Sequence, residues 1–219
     1  AEGGLPVPEF RGVDTEKDLL AAGEELGWPL MLKAREGGYD GRGNRPVDGP
    51  EEADEALETI GGAALAEELI DFERELAVMG AVGDGETRAY PVTETIHEAE
   101  ILRESVAPTR IDDEVRSRAR EVVFDVLDLL DGRGVYGIEL FETSDSEILV
   151  NEIAPRPHNS GHWTIEGART SQFENHVRAV LGWPLGQTDL REPTVSANIL
   201  GDVDEPEPAT LHNVDSVLE

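Results

Sequence analysis

Apolar positions return along this chain with two spacings, and each spacing marks a different kind of element. Between 112 and 130, Val115, Ala119, Val122, Val123, Val126, Leu129 and Leu130 recur every three or four residues, the pattern of one buried helix face, and Gly132 ends the run. Asp14 or Thr15 is placed to cap a helix through Leu19, Leu20 and Leu26, with Gly27 stopping it. An acidic helix is predicted over 50–60 and a final one over 166–181. Short runs at 28–34, 64–70, 75–82 and 87–92 read as strands, the last three parted by Asp71-Phe72-Glu73 and the turn Gly83-Asp84-Gly85. The runs 135–142 and 147–154 form a predicted hairpin, and 194–200 is one more strand. No internal repeat is present. Strands mixed with helices, without regular alternation, predict an α+β architecture of two lobes.

Charge adds the solvent to this picture. Of 219 residues, 48 are Asp or Glu and 18 are Lys or Arg, a net charge of −30; only Lys17 and Lys33 are lysines. Acids spread through every segment fit a solvent of high salt, where screening lengths fall to about 3 Å at 1 M and self-repulsion fades. Such a surface repels phosphate backbones, so neither nucleic acid nor an anionic membrane is an expected partner. No apolar run approaches the ~20 residues of a bilayer span, and the N-terminal residues lack a basic-then-apolar leader. Cysteine is absent, which removes disulfides, thiolate catalysis and Cys-ligated zinc. The apolar share is a low 38%, yet runs such as Ile148-Leu149-Val150 indicate a folded chain.

Four groups of residues carry chemistry. Lys33 precedes a loop with glycines at 37, 38, 41 and 43, whose bare backbone amides suit phosphate. The lysine comes before the glycines, which excludes a Walker P-loop, and the glycines alone fit an ordinary surface turn equally well. Glu139 and Glu152 lie on the two strands of the predicted hairpin. If its turn centres on Asp145-Ser146 they are directly opposite, Glu139 sharing a face with Val135, Gly137 and Phe141, and Glu152 one with Ile148 and Val150. Two like charges among apolar neighbours call for a cation, and with the oxygen of Asn151 they suit Mg²⁺ or Mn²⁺ held jointly with phosphates; two solvent-facing edge glutamates are the plainer alternative. The run Ile153-Ala154-Pro155-Arg156-Pro157-His158-Asn159-Ser160-Gly161-His162-Trp163-Thr164 concentrates Arg, His, Asn and Ser on a proline-stiffened loop fit to bind an anion, while His158 and His162 are too few ligands for zinc. Finally, Glu67, Glu68, Leu69 and Ile70 with Glu75 could read an adenine edge and ribose hydroxyls, though in so acidic a chain an acidic strand exit explains them as well.

Together these residues resemble the ATP-grasp superfamily, and within it the N5-carboxyaminoimidazole ribonucleotide synthase family. The most specific matches are residues 151–164 and Gly37-Gly38-Tyr39-Asp40-Gly41-Arg42-Gly43, supported by Phe72-Glu73-Arg74-Glu75-Leu76, Tyr90-Pro91-Val92 and Gln172-Phe173-Glu174. The likeness runs from about residue 5 to 201. It implies two α+β lobes clasping a nucleotide: a lead-in at 1–12, a small lobe at 13–70, a large lobe at 71–201 and an acidic tail at 202–219. It implies that Lys33 and residues 37–43 hold ATP phosphates, that Glu67, Glu68, Leu69 and Ile70 line the adenine, that Glu75 takes the ribose, and that His97 and Asn151 lie at the nucleotide. Glu139 and Glu152 would ligate the metal, while Tyr39, Asp40, Arg42, Arg156, His158, Asn159 and Ser160 would bind aminoimidazole ribonucleotide. Lys33, Arg156, Glu139 and Glu152 would carry the catalysis. The implied reaction is ATP- and bicarbonate-dependent carboxylation through carboxyphosphate, in the cytoplasm, by a possible homodimer. The family's flanking domains are not matched, so a central piece of a longer enzyme, binding nucleotide without turnover, is the expectation beside it. A neighbouring ligase, such as the formate-using purine transformylase, is a further alternative.

Overall fold

The structure, a computed structural model, describes residues 3–37, 43–98 and 101–199. Of the expected site residues, Gly38, Tyr39, Asp40, Gly41 and Arg42 lie outside it, as does the tail at 202–219.

The first sheet has the order β1-β4-β2-β3, every pairing antiparallel: β1 (Phe10–Val13), β2 (Leu30–Ala34), β3 (Asn44–Val47) and β4 (Ala64–Glu68). Thr15 caps α1 (Glu16–Leu26) through a reciprocal capping box with Asp18, and Gly27 follows its last turn. A 3₁₀ turn at Pro50–Glu52 leads into α2 (Ala53–Ile60). One face of the sheet closes on these helices through Val13, Leu19, Leu30, Leu32, Val47, Ala53, Ala56, Ala64 and Ala66, all fully buried. Residues 10–12, expected in the lead-in, are part of this sheet. Ahead of them Pro6 accepts a hydrogen bond from the Val150 amide, so the lead-in runs along the second sheet before entering the first.

The second sheet has the order β10-β9-β5-β7-β8-β11, with β6 paired to β5. Its strands are β5 (Phe72–Val82), β6 (Thr87–Ala89), β7 (Thr93–Glu98), β8 (Ile101–Ala107), β9 (Gly134–Thr143), β10 (Ile148–Ala154) and β11 (Thr194–Ala197). The long helix α3 (Asp113–Leu129) lays Val115, Ala119, Val122, Val123, Val126 and Leu127 on Leu76, Val78, Ile138, Leu140, Ile148 and Val150. The other face is covered by Tyr90, Trp163 and Ala168 and by α5 (Gln172–Val180), whose Ala179 meets Ala81 and Val135.

Two expectations change. The helix predicted over 166–181 is divided into α4 (Thr164–Gly167) and α5, because Ser171 caps a fresh helix with its hydroxyl on the Glu174 amide while Ala168 bridges to Leu190. Asp71-Phe72-Glu73 is not a separator throughout: β5 already begins at Phe72, and the crossing between the two sheets is residues 69–71.

Candidate active site

Strand alternation sets which side chains face the space between the sheets. On β2, Leu30 and Leu32 enter the small core, which turns Met31 and Lys33 outward; on β4, Ala64 and Ala66 do the same for Leu65 and Glu67. Met31 lies opposite Glu67 and Lys33 opposite Leu65. The Lys33 ammonium sits 2.7 Å from Glu67 Oε2 and donates to Asn151 Oδ1 at 3.0 Å. Asn151 belongs to β10, so this lysine ties one lobe to the other.

On the facing wall, Glu139 of β9 is directly opposite Glu152 of β10, as expected. Glu139 also keeps its expected face, with Gly137 and Phe141, but Glu152 does not share the face of Ile148 and Val150. Ile148, Leu149 and Val150 pair with Glu142, Phe141 and Leu140, but after Val150 the register shifts by one and Glu152 pairs with Glu139. Asn151 is the extra residue of a β-bulge. In a strictly alternating strand that paired Asn151 in the ladder, Glu152 would share the face of Ile148 and Val150, which are buried against α3; with the bulge, Asn151 and Glu152 in succession both reach the cavity. The oxygen of Asn151 is engaged by Lys33 here.

Two further register shifts fall at cavity residues, between Phe72 and Arg74 on β5 and between Ile96 and His97 on β7. His97 Nδ1 is 2.8 Å from Glu75 Oε2. Burial disfavours the charged ring, yet the hydrogen bond and charge of Glu75, with Glu139 beyond it, raise its pKa. Burial also pushes the Glu139 carboxyl up to about 7, the charge of Glu152 adding to the effect and that of His97 opposing it.

The cavity between the lobes measures about 350 Å³. Lys33, Glu67, Glu68, Leu69, Ile70, Glu75, His97, Glu139, Asn151 and Glu152 all line it, beside Pro8, Met31, Asn44, Phe72 and Phe141. The last five were not anticipated. Phe141 had a signal, lying two positions from Glu139 on one strand face. Phe72 had none, because its ring reaches the site by stacking on Phe141 at 4.7 Å between centroids across two strands. The cavity thus combines apolar and aromatic surface with a charged set in which five glutamates face one lysine, so an anionic group could enter it only with a cation to offset the carboxylates.

The loop after β10 stands beside this cavity rather than in its wall. Arg156 is exposed and donates to the Pro157 carbonyl. His158 turns its ring to Glu139, with Nδ1 3.7 Å from Oε1, and Nδ1 is 2.8 Å from Ser160 Oγ. Ser160 is fully buried, so in this conformation it orients His158. Asn159 opens a 3₁₀ turn, Asn159–Gly161, and is half-buried. Gly37 and Gly43, at the two ends of the glycine-rich loop, hold φ of 76° and 97°, a backbone open to glycine at little strain.

Comparison with known proteins gives a consistent result. A model described as the ATP-grasp domain matches residues 1–173. The chain is 39% identical over 201 residues to the N5-carboxyaminoimidazole ribonucleotide synthase of Bacillus subtilis, covering 91% of this chain and 53% of that one. It is 42% identical over 211 residues to the phosphoribosylaminoimidazole carboxylase of Schizosaccharomyces pombe, covering 93% and 38%. Among solved structures, the carboxyaminoimidazole ribonucleotide synthase of Aspergillus clavatus complexed with ATP superposes with a TM-score of 0.88 at 39% identity, covering 92% and 55%. The complex from that organism with ADP and 5-aminoimidazole ribonucleotide gives 0.86 at 37%, covering 92% and 54%. The chain therefore spans about half the length of most of these relatives.

Proposed function

Because this chain belongs to the ATP-grasp family, we propose that its cleft binds ATP with Mg²⁺ and that the protein uses ATP and bicarbonate to carboxylate 5-aminoimidazole ribonucleotide in purine biosynthesis. The observation that carries this reading is the bulged hairpin: Glu139 and Glu152 face each other on one side of the cavity, and Lys33 reaches Asn151 from the opposite lobe.

The donor set fits a hard divalent ion. Among the described residues no three His, Cys, Asp or Glu side chains gather as a metal site, and two carboxylates alone would leave most positions of Mg²⁺ to water or nucleotide phosphates, which is how that ion is commonly held. Burial first, and the facing charge of Glu152 after it, raise the pKa of Glu139, a cost that a cation held between the two carboxylates would offset. When bound, the ion would offset the negative charge of the triphosphate and of the phosphoryl group in transfer.

The chain's own residues account for the rest. Phe72, Phe141, Met31 and Ile70 offer flat apolar surface to the base, while Glu67 and Glu68, at the end of a strand, offer polar atoms at its edge. Glu75, fixed by His97, is placed for the ribose. Lys33, released from Asn151, would turn to the phosphates as a point charge. An oxygen of bicarbonate attacks the γ-phosphorus and ADP departs; the exocyclic amine of the ribonucleotide, held near Arg156, His158 and Asn159, then takes the carboxyl group of the resulting carboxyphosphate, with loss of inorganic phosphate and of a proton from the amine. Carboxyphosphate is short-lived in water, so the cleft must exclude it. Positioning and charge supply the catalysis, with no covalent intermediate on the protein. A high-salt cytoplasm and a homodimeric assembly belong to the same proposal.

The test is an ATP-hydrolysis assay with bicarbonate, with and without 5-aminoimidazole ribonucleotide, beside calorimetry of MgATP. Stimulation by the ribonucleotide is expected wherever the chain turns over, and nucleotide binding is expected in any case. Stimulation by formate with glycinamide ribonucleotide instead would move the assignment to the transformylase branch, and absence of MgATP binding would remove the proposal.

A further inference from the structure

Gln172 is fully buried at the first turn of α5, well behind the cavity, and its side chain is spent entirely on the backbone of one other residue. Its Oε1 accepts from the His158 amide at 2.9 Å, and its Nε2 donates to the His158 carbonyl at 2.7 Å. A carboxamide offers donor and acceptor side by side, so it can satisfy both polar groups of a single residue as a neighbouring strand would. The clamp is itself held. The Gln172 amide donates to Thr164 Oγ1 at 3.0 Å, and that hydroxyl donates to the Gly161 carbonyl at 2.7 Å. Gly161 leaves room for it, since a Cβ there would lie 2.7 Å from Gln172 Oε1 and 2.6 Å from the Met79 side chain.

On the other side of the clamp, His158 rests on β9. A Cβ on Gly137 would lie 2.5 Å from the His158 Cβ, so the bare glycine lets the ring approach Glu139, two residues further along that face. We propose that Gln172 is a positioning residue: by gripping the His158 backbone from behind, it fixes the loop at 155–161 against the carboxylate pair and thereby sets the affinity for the phosphorylated aminoimidazole substrate, without touching that substrate. The inference rests on the function proposed above for the ligand it names, but the grip itself does not.

Two measurements on the 219-residue chain separate these parts. The first is amide hydrogen exchange at His158 in the parent and in Gln172→Met, which keeps length and approximate volume while losing both hydrogen bonds. Exchange is expected to quicken on the order of a hundredfold at His158, with core amides such as that of Leu140 unchanged. The second is calorimetry, with 5-aminoimidazole ribonucleotide and with MgADP as probes. The variant should bind the ribonucleotide about tenfold or more weakly while MgADP affinity stays within about twofold. Thr164→Val, which loosens the clamp without altering the glutamine, should move both readings the same way by less, and it serves if Gln172→Met does not fold. Unaltered exchange at His158 overturns the proposal, as does quickened exchange with ribonucleotide affinity intact, or an equal loss for both ligands. A parent chain that binds MgADP but not the ribonucleotide overturns the assigned ligand while exchange still decides the grip.

Discussion

At the scale of single residues, Glu139 and Lys33 carry opposite burdens. An acid whose pKa rises on folding, here from 4.5 to about 7, contributes stability that is whole below the lower value and lost as pH climbs through the higher one. In the nucleotide-free protein with chelator, Glu139→Gln is therefore expected to gain on the parent between pH 5 and 8 by on the order of 2 kcal/mol, measured by urea unfolding at both pH values. Identical pH slopes would mean that Glu139 is no strained acid. The same substitution should weaken MgATP binding. Lys33→Met removes the ion pair with Glu67 and the bond to Asn151; nucleotide affinity should fall about tenfold or more, and calorimetry showing less than a twofold loss would separate this lysine from the phosphates.

At the scale of elements, the bulge at Asn151 decides the site. A carboxylate alternating strictly on β10 would enter the face buried against α3. Deleting Asn151 removes the extra residue and leaves Glu152 directly after Val150, on the cavity face and still opposite Glu139, so the deletion and Asn151→Ala, each losing the bond to Lys33, should both change stability by about 1 kcal/mol or less. Denaturant unfolding of the two variants tests this, and a loss of about 3 kcal/mol or more on deletion alone would show that Glu152 does not keep its place opposite Glu139 once the extra residue is gone. The start of α5 is an element-scale feature of another kind. Ser171 makes a local cap, and Ser171→Ala should lower stability by about 1 kcal/mol, read from the shift in melting temperature.

For the whole molecule, 48 acids against 18 basic residues oppose compaction unless salt screens them. A higher melting temperature in molar KCl than in dilute buffer is expected, and a melting temperature indifferent to salt would detach the acidic surface from its solvent. The crossing at 69–71 and the bond from Lys33 to Asn151 link two sheets that each have their own core. A ligand in the cavity contacts both lobes at once, so MgATP should stabilise the chain as a unit through mass action.

The amino-acid order alone settled whatever depends on neighbours along the chain. A helix start at Asp14 or Thr15, the helical period through Val115 and Val126, and the hairpin that sets Glu139 opposite Glu152 are all properties of short stretches. Tertiary structure alone decided which wall each of these faces. The bulge that turns Glu152 away from Val150, the stacking of Phe72 on Phe141, and the grip of Gln172 on His158 join strands and helices far apart in sequence. Such pairings arise from packing two sheets and their helices together, and no local periodicity encodes them.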